Sequence, residues 1–153
     1  MRHSLADRAA GAVRENRSIF NYGLFVMTLT HMLTHVFTRV HTTLFPVLQE
    51  EFSLSLQQLG LIAAIPALCQ AILSIPTGLL SDRWGSRLMI QVALVVALGG
   101  TLLASQSLTP VMLIVAVSLV YVNTTVYHPA AYSFVTRLFE PRTRLKALGI
   151  HGA

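Results

Sequence analysis

Thr28, His31, His35, Arg39 and Thr42 recur at spacings of three or four along an otherwise apolar stretch. At 3.6 residues per turn this spacing lines them up on one stripe of a helix. Thr34, Thr38 and His41 broaden the stripe, while Leu24, Val26, Leu29, Leu33, Val36 and Val40 fall on the other face. A second polar set comprises Tyr121, Thr124, Thr125, His128 and Tyr132, with Asn123 nearby. Pro129 follows His128 and should kink or end the regular helix there. The chemistry open to these residues is proton exchange and anion binding. Histidine changes charge near neutral pH. Arg39 stays charged and requires acceptors.

Plain structural duties compete with that reading. A threonine can bond its own helix, and a single histidine can bond a neighbouring one. Arg39 can line a cavity, pair with an acid on a helix beyond this chain, or reach toward the outer headgroups. His31 and His35 would supply half a zinc shell at most, with no Asp, Glu or Cys in the same stretch as a third ligand, so no metal is expected. There are no paired carboxylates, no nucleotide loop and no nucleophile triad, so neither an enzyme nor a cofactor is expected. Cys69 is the one cysteine and reads as a small packed residue.

The elements that carry these residues follow from composition. Of the 153 residues, 54% are hydrophobic and 11% charged, against about 25% charged in soluble domains. No Asp, Glu, Lys or Arg occurs between Arg17 and Arg39, from Phe52 to Ser81, or from Leu88 to Thr136. A spanning helix needs about 20 apolar residues, so the last stretch holds two, with a turn at Ser105-Gln106-Ser107-Leu108-Thr109-Pro110. The predicted fold is an all-α polytopic membrane protein. Its spans are expected at about 20–47, 56–80, 88–106 and 110–136, with a fifth starting near Ala147. In the 56–80 span Gly60, Ala64, Ala67, Ala71, Ser74 and Gly78 form a small-residue stripe that would let another helix approach closely. Pro66 and Pro76 can bend it.

Basic residues set the orientation. Arg2, Arg8, Arg14 and Arg17 precede the first span, Arg83 and Arg87 follow the second, and Arg137, Arg142, Arg144 and Lys146 follow the fourth. The intervening loops have none, and the first carries Glu50 and Glu51. This alternation predicts a cytoplasmic N-terminus in an inner membrane. Residues 1–19 form a basic cytoplasmic leader, with no apolar core of a cleavable signal. The formal charge of +5 therefore implies anionic lipid headgroups as neighbours and no nucleic-acid partner.

The densest motif is Gly78-Leu79-Leu80-Ser81-Asp82-Arg83-Trp84-Gly85-Ser86-Arg87. Asp82 is expected just before the third span, bonding its free amides. The run resembles the signature between helices two and three of the major facilitator superfamily, with Ser86 where a further basic residue is common. By that resemblance Gly78, Asp82, Arg83, Gly85 and Arg87 gate the cytoplasmic side. The chain is also similar to the fosmidomycin-resistance type of efflux protein within that family. His31, the Phe45-Pro46-Val47-Leu48-Gln49-Glu50-Glu51-Phe52-Ser53-Leu54 run and Tyr127-His128-Pro129 carry this likeness. That subgroup can have aspartate where His35 stands and glutamate where Ala130 stands.

The resemblance implies two six-helix halves built from inverted three-helix repeats. Residues 20–153 would be part of the first half, and the missing C-terminal half of the same protein would be its partner. The expected function is proton-coupled efflux of a small anionic or neutral polar solute by alternating access. His31, His35, Arg39, Tyr121 and His128 would line the substrate or proton cavity. The alternatives are uptake of a small organic acid or sugar, an accessory membrane subunit, and a truncated protein that does not transport.

Overall fold

The computed structural model describes residues 21–152. The basic leader expected at 1–19 lies outside them. The described chain is all helical. Helix α1 covers Tyr22–Thr43, and Asn21 Oδ1 accepts the Leu24 N–H at its start at 2.8 Å. The first span was expected to reach residue 47. Instead the chain breaks at Leu44, and a short α2, Phe45–Glu51, follows. Pro46 is the reason: it has no N–H to continue the ladder and disfavours the helical conformation in the residue before it.

Ser55 starts α3, Leu56–Trp84, through a reciprocal capping box with Gln58. Both Pro66 and Pro76 lie inside this helix. Gly85 then turns the chain with φ of 81°, in the left-handed region that glycine enters at little cost. Helix α4, Ser86–Ser105, begins at the next residue. Helix α5 is Pro110–Leu138, with Thr109 Oγ1 accepting the Met112 N–H at 3.2 Å. Helix α6 is Pro141–Gly152, so it begins earlier than the residue near 147 expected for a fifth span.

Among the described residues, three helices are long and apolar enough to cross a membrane: α3, α4 and α5. The chain is a multi-pass membrane protein. Helix α1 has comparable length, and its polar stripe keeps it out of that group. The burial pattern of α1 is inverted relative to a soluble helix. His31, Thr34, Thr38 and His41 are buried, while Leu29, Leu33, Val36 and Val40 are exposed. Leu68, Ile72, Ile75 and Leu79 of α3 are exposed too, as are Val95, Leu98 and Leu102 of α4. Water penalises such a surface, and a hydrocarbon solvent does not.

The chain divides into two compact units, one running Met32–Ala131 and the other joining the residues up to His31 with those from Tyr132. In the second of these, Leu24, Met27, Val135, Phe139 and Ala147 are buried, and the His31 and His151 rings lie 4.6 Å apart. In the unit Met32–Ala131, Leu54, Leu59, Ile62, Leu113 and Val117 form a core cluster, with Phe45, Phe52 and Tyr121 packed around it. The N-terminal ends of α3 and α5 are joined there.

Among the described residues no helix lies close against the small-residue stripe of α3. Gly60, Ala64, Ala67, Ala71 and Ser74 are exposed, and a Cβ at Gly60 or Gly78 would meet nothing within 4 Å. The face that packs carries Leu59, Ile62, Pro66, Thr77 and Ser81. The close approach occurs at Gly100 of α4 instead. A Cβ there would sit 2.9 Å from Val120 Cγ2, 3.0 Å from the Ala116 carbonyl oxygen and 3.0 Å from the Val120 nitrogen. Two of those three are backbone atoms that cannot rotate away. Gly100→Ala should therefore push α4 off α5 and lower the stability of the full-length protein by about 1–3 kcal/mol. Gly99→Ala, facing open space, should not destabilise. Thermal unfolding of the two variants in detergent checks this; equal melting temperatures would contradict it.

Candidate solute site

Three helices of the unit Met32–Ala131 supply one polar cavity of about 270 Å³. Helix α1 contributes His35, Thr38 and Arg39, α3 contributes Gln70, and α5 contributes Tyr121, Thr124 and His128. The helical period explains the α1 and α5 sets. Residues 35, 38 and 39 share a face, as do 121, 124 and 128. No lining residue is purely aliphatic, and none is acidic.

Four of the residues expected from the sequence thus come together: His35, Arg39, Tyr121 and His128. The His35 and His128 rings face each other at 5.8 Å between centroids. Thr38 Oγ1 is turned back to the carbonyls of Thr34 and His35, at 2.9 and 3.1 Å. Among the described residues no carboxylate pairs with Arg39, and the guanidinium is exposed on the cavity side of α1. His31 is not among the lining residues; it lies in the other unit, against His151. His41 is buried behind Tyr121, its ring edge-on to Tyr121 at 5.4 Å and to Phe45 at 5.9 Å.

Gln70 was not singled out from the sequence, and Thr124 was placed in the second polar set but not among the cavity residues. Gln70 is the one strongly polar side chain in the middle of its charge-free span, and that isolation was the available signal. Its Nε2 donates to Thr124 Oγ1 at 2.8 Å. Thr125 Oγ1 donates to the Gln70 carbonyl at 3.4 Å. Below these, Pro129 has no N–H for the Thr125 carbonyl one turn before it. That freed oxygen lies 3.2 Å from Thr77 Oγ1 of α3, whose one proton is shared with the Leu73 and Ser74 carbonyls of its own helix at 2.8 and 3.2 Å. In hydrocarbon, such a replacement by a neighbouring hydroxyl is what makes an interior proline tolerable. The polar wall of the cavity is therefore also the seam between α3 and α5. Asn123, fully buried, has no hydrogen-bond partner for either side-chain atom among the described residues.

The turn between α3 and α4 differs from expectation at Asp82. The residue was expected to cap the following helix. Instead α3 continues through Trp84, and Gly85 is the N-cap of α4, with no side-chain cap bond. A single left-handed residue reorients the chain, so no loop is left in which Asp82 could stand beside the free amides. Asp82, Arg83 and Arg87 are all exposed, with Gly78 and Gly85 partly covered. Among the described residues Asp82 makes no hydrogen bond or ion pair.

A family model for the Major Facilitator Superfamily matches residues 27–153. The chain belongs to the major facilitator superfamily. The members of that superfamily are transporters and not enzymes. The chain is also 26% identical over 121 residues to the fosmidomycin resistance protein of Escherichia coli (strain K12). That match covers 79% of this chain and 30% of the relative, so the chain spans under a third of that relative's length. No solved structure matches.

The seam makes a direct prediction for this superfamily member. Thr77→Val keeps the shape and deletes the hydroxyl, removing the share of its proton that reaches the Thr125 carbonyl across the seam. The full-length protein should lose about 0.5–1.5 kcal/mol, read as a lower melting temperature. Thr77→Ser should retain most of it. A Val variant as stable as wild type would show that the freed carbonyl finds another donor.

Proposed function

We propose that the full-length protein moves a small anionic or neutral polar solute across the membrane by alternating access, as a proton-coupled efflux carrier. The observation that carries this is the cavity of His35, Arg39, Gln70, Tyr121, Thr124 and His128, which holds one fixed positive charge and no carboxylate. A guanidinium at membrane depth is costly unless it meets an anion. A solute carboxylate or phosphonate would supply that charge, and planar guanidinium suits either group in bidentate fashion. His35 and His128, in ring contact, would take up and release the coupled proton, since histidine changes charge near neutral pH. The relative's printed name, a resistance protein, favours efflux over uptake.

The remaining parts fit this reading. Helix α1 would be a fourth span, with its apolar face on lipid and its stripe on the cavity, and α6 would open a fifth. Residues 1–19, 81–87 and 137–146 would face the cytoplasm, as their basic residues indicate. Gly78, Asp82, Arg83, Gly85 and Arg87 would form the cytoplasmic gate. Asp82, Arg83 and Arg87 are exposed, as groups that meet another half of the protein would be.

Arg39→Gln in the full-length protein, reconstituted in proteoliposomes, tests the reading. Transport of an anionic and a cationic candidate is compared at matched gradients. The anion should slow by at least about tenfold, the loss of one charge-assisted contact. The cation should be unaffected. Unchanged anion transport, or a loss confined to the cation, would contradict it.

A further inference from the structure

Gln70 shares the cavity with Arg39, and its orientation is fixed by a chain of two hydrogen bonds. Thr124 Oγ1 donates to the Tyr121 carbonyl oxygen at 2.7 Å. A hydroxyl has one proton, so Thr124 can only accept from anything else it meets. It meets Gln70, and therefore requires the N–H end of that amide, as the 2.8 Å bond from Nε2 shows. An amide is otherwise free to present either end. Here the backbone of α5 decides the matter, and the amide oxygen Oε1 is the end left over. No protein group among the described residues bonds that oxygen, and it is not among the buried polar atoms lacking a partner. It is an acceptor left open beside the cavity.

The acceptor differs from its neighbours in having no proton of its own, whereas the hydroxyls of Thr38, Tyr121 and Thr124, which also line the cavity, can donate as well as accept. Arg39 can only donate. An imidazole accepts only through an unprotonated nitrogen. The Oε1 atom of Gln70 accepts at every pH at which the protein is folded. A cavity with a fixed cation and a fixed neutral acceptor complements a solute that carries both an anionic group and a hydrogen-bond donor.

The geometry points to Gln70 as a specificity-determining residue that selects small organic anions bearing a hydroxyl or N–H group over anions of the same size that lack one. This rests on the reading of the cavity as an anion site and adds a second requirement to it. Arg39 would hold the anionic group, Gln70 Oε1 would accept from the donor, and Thr124 would act as a positioning residue by holding the amide. Discrimination arises because the unfitting solute leaves Oε1 desolvated and unpaired.

Lactate and propionate are suitable probes, since they share a carbon skeleton and a carboxylate and differ in one hydroxyl. Their binding to purified full-length protein is measured by calorimetry for wild type, Gln70→Met, Thr124→Val, Thr124→Ser and Arg39→Gln. Wild type should prefer lactate by about tenfold, the worth of one satisfied hydrogen bond. Gln70→Met and Thr124→Val should bring the ratio close to one, while Thr124→Ser keeps it. Because the readout is a ratio of two ligands on the same sample, a reduced folded fraction does not imitate the effect. A wild-type ratio near one, a wild type that binds neither probe, or a ratio that survives Gln70→Met would each overturn the inference. Arg39→Gln separates the two ideas. Loss of both ligands in that variant with the ratio unchanged in Gln70→Met would sink the role of Gln70 and leave the anion site standing. Undiminished binding of both ligands in Arg39→Gln would remove the anion site itself, and with it the inference.

Discussion

Hydrocarbon offers no hydrogen bonds, so each polar group in a spanning helix must find its partner within the protein or face an aqueous cavity. The burial pattern of α1 and the seam between α3 and α5 both follow from this. In α1 Leu29, Leu33, Val36 and Val40 lie outward and Thr34, Thr38 and His41 lie inward. Thr30, Thr38 and Thr42 return their hydroxyls to their own helix. In α5 a proline breaks the ladder, and the freed carbonyl meets a threonine hydroxyl of the facing helix that it shares with that helix's own carbonyls. The same arrangement leaves Gln70 and Thr124 on the cavity wall.

Packing then fixes how finely the wall is placed. Gly100 lets α4 lie directly against the backbone of α5, which holds α5 from one side. The hydroxyl and amide bonds of Gln70, Thr77, Thr124 and Thr125 hold it from the other. These contacts restrain α3, α4 and α5 and so fix Gln70 and Thr124 on the cavity wall.

Much of this was legible in the sequence where periodicity carried it. The stripe of α1 and the His128 set of α5 follow from spacings of three and four. The turn at Ser105–Pro110 follows from proline and polarity, and the helices meet it at Ser105 and Pro110. Features that depend on which neighbour a face meets were not legible. The small residues of α3 look like a packing stripe, yet the packed face is set by Leu59, Ile62 and Thr77. Asp82 has the residue type of a cap, but the cap position belongs to Gly85. Gln70 is one glutamine until Thr124 is seen opposite it. The break at Leu44 was available from Pro46, whose effect on the preceding residue is local.

The proposed division of α1 into a lipid face and a cavity face is the feature on which the proposed solute site stands. Single cysteines at His35, Arg39, Leu33, Val36 and Val40, in the full-length protein with Cys69→Ser, can be challenged with a water-soluble thiol reagent in membranes. Positions 35 and 39 should react, and 33, 36 and 40 should not, because a lipid-facing thiol is neither hydrated nor ionised. Equal reactivity along the helix, or reaction confined to 33, 36 and 40, would contradict a water-filled polar cavity on this face of α1.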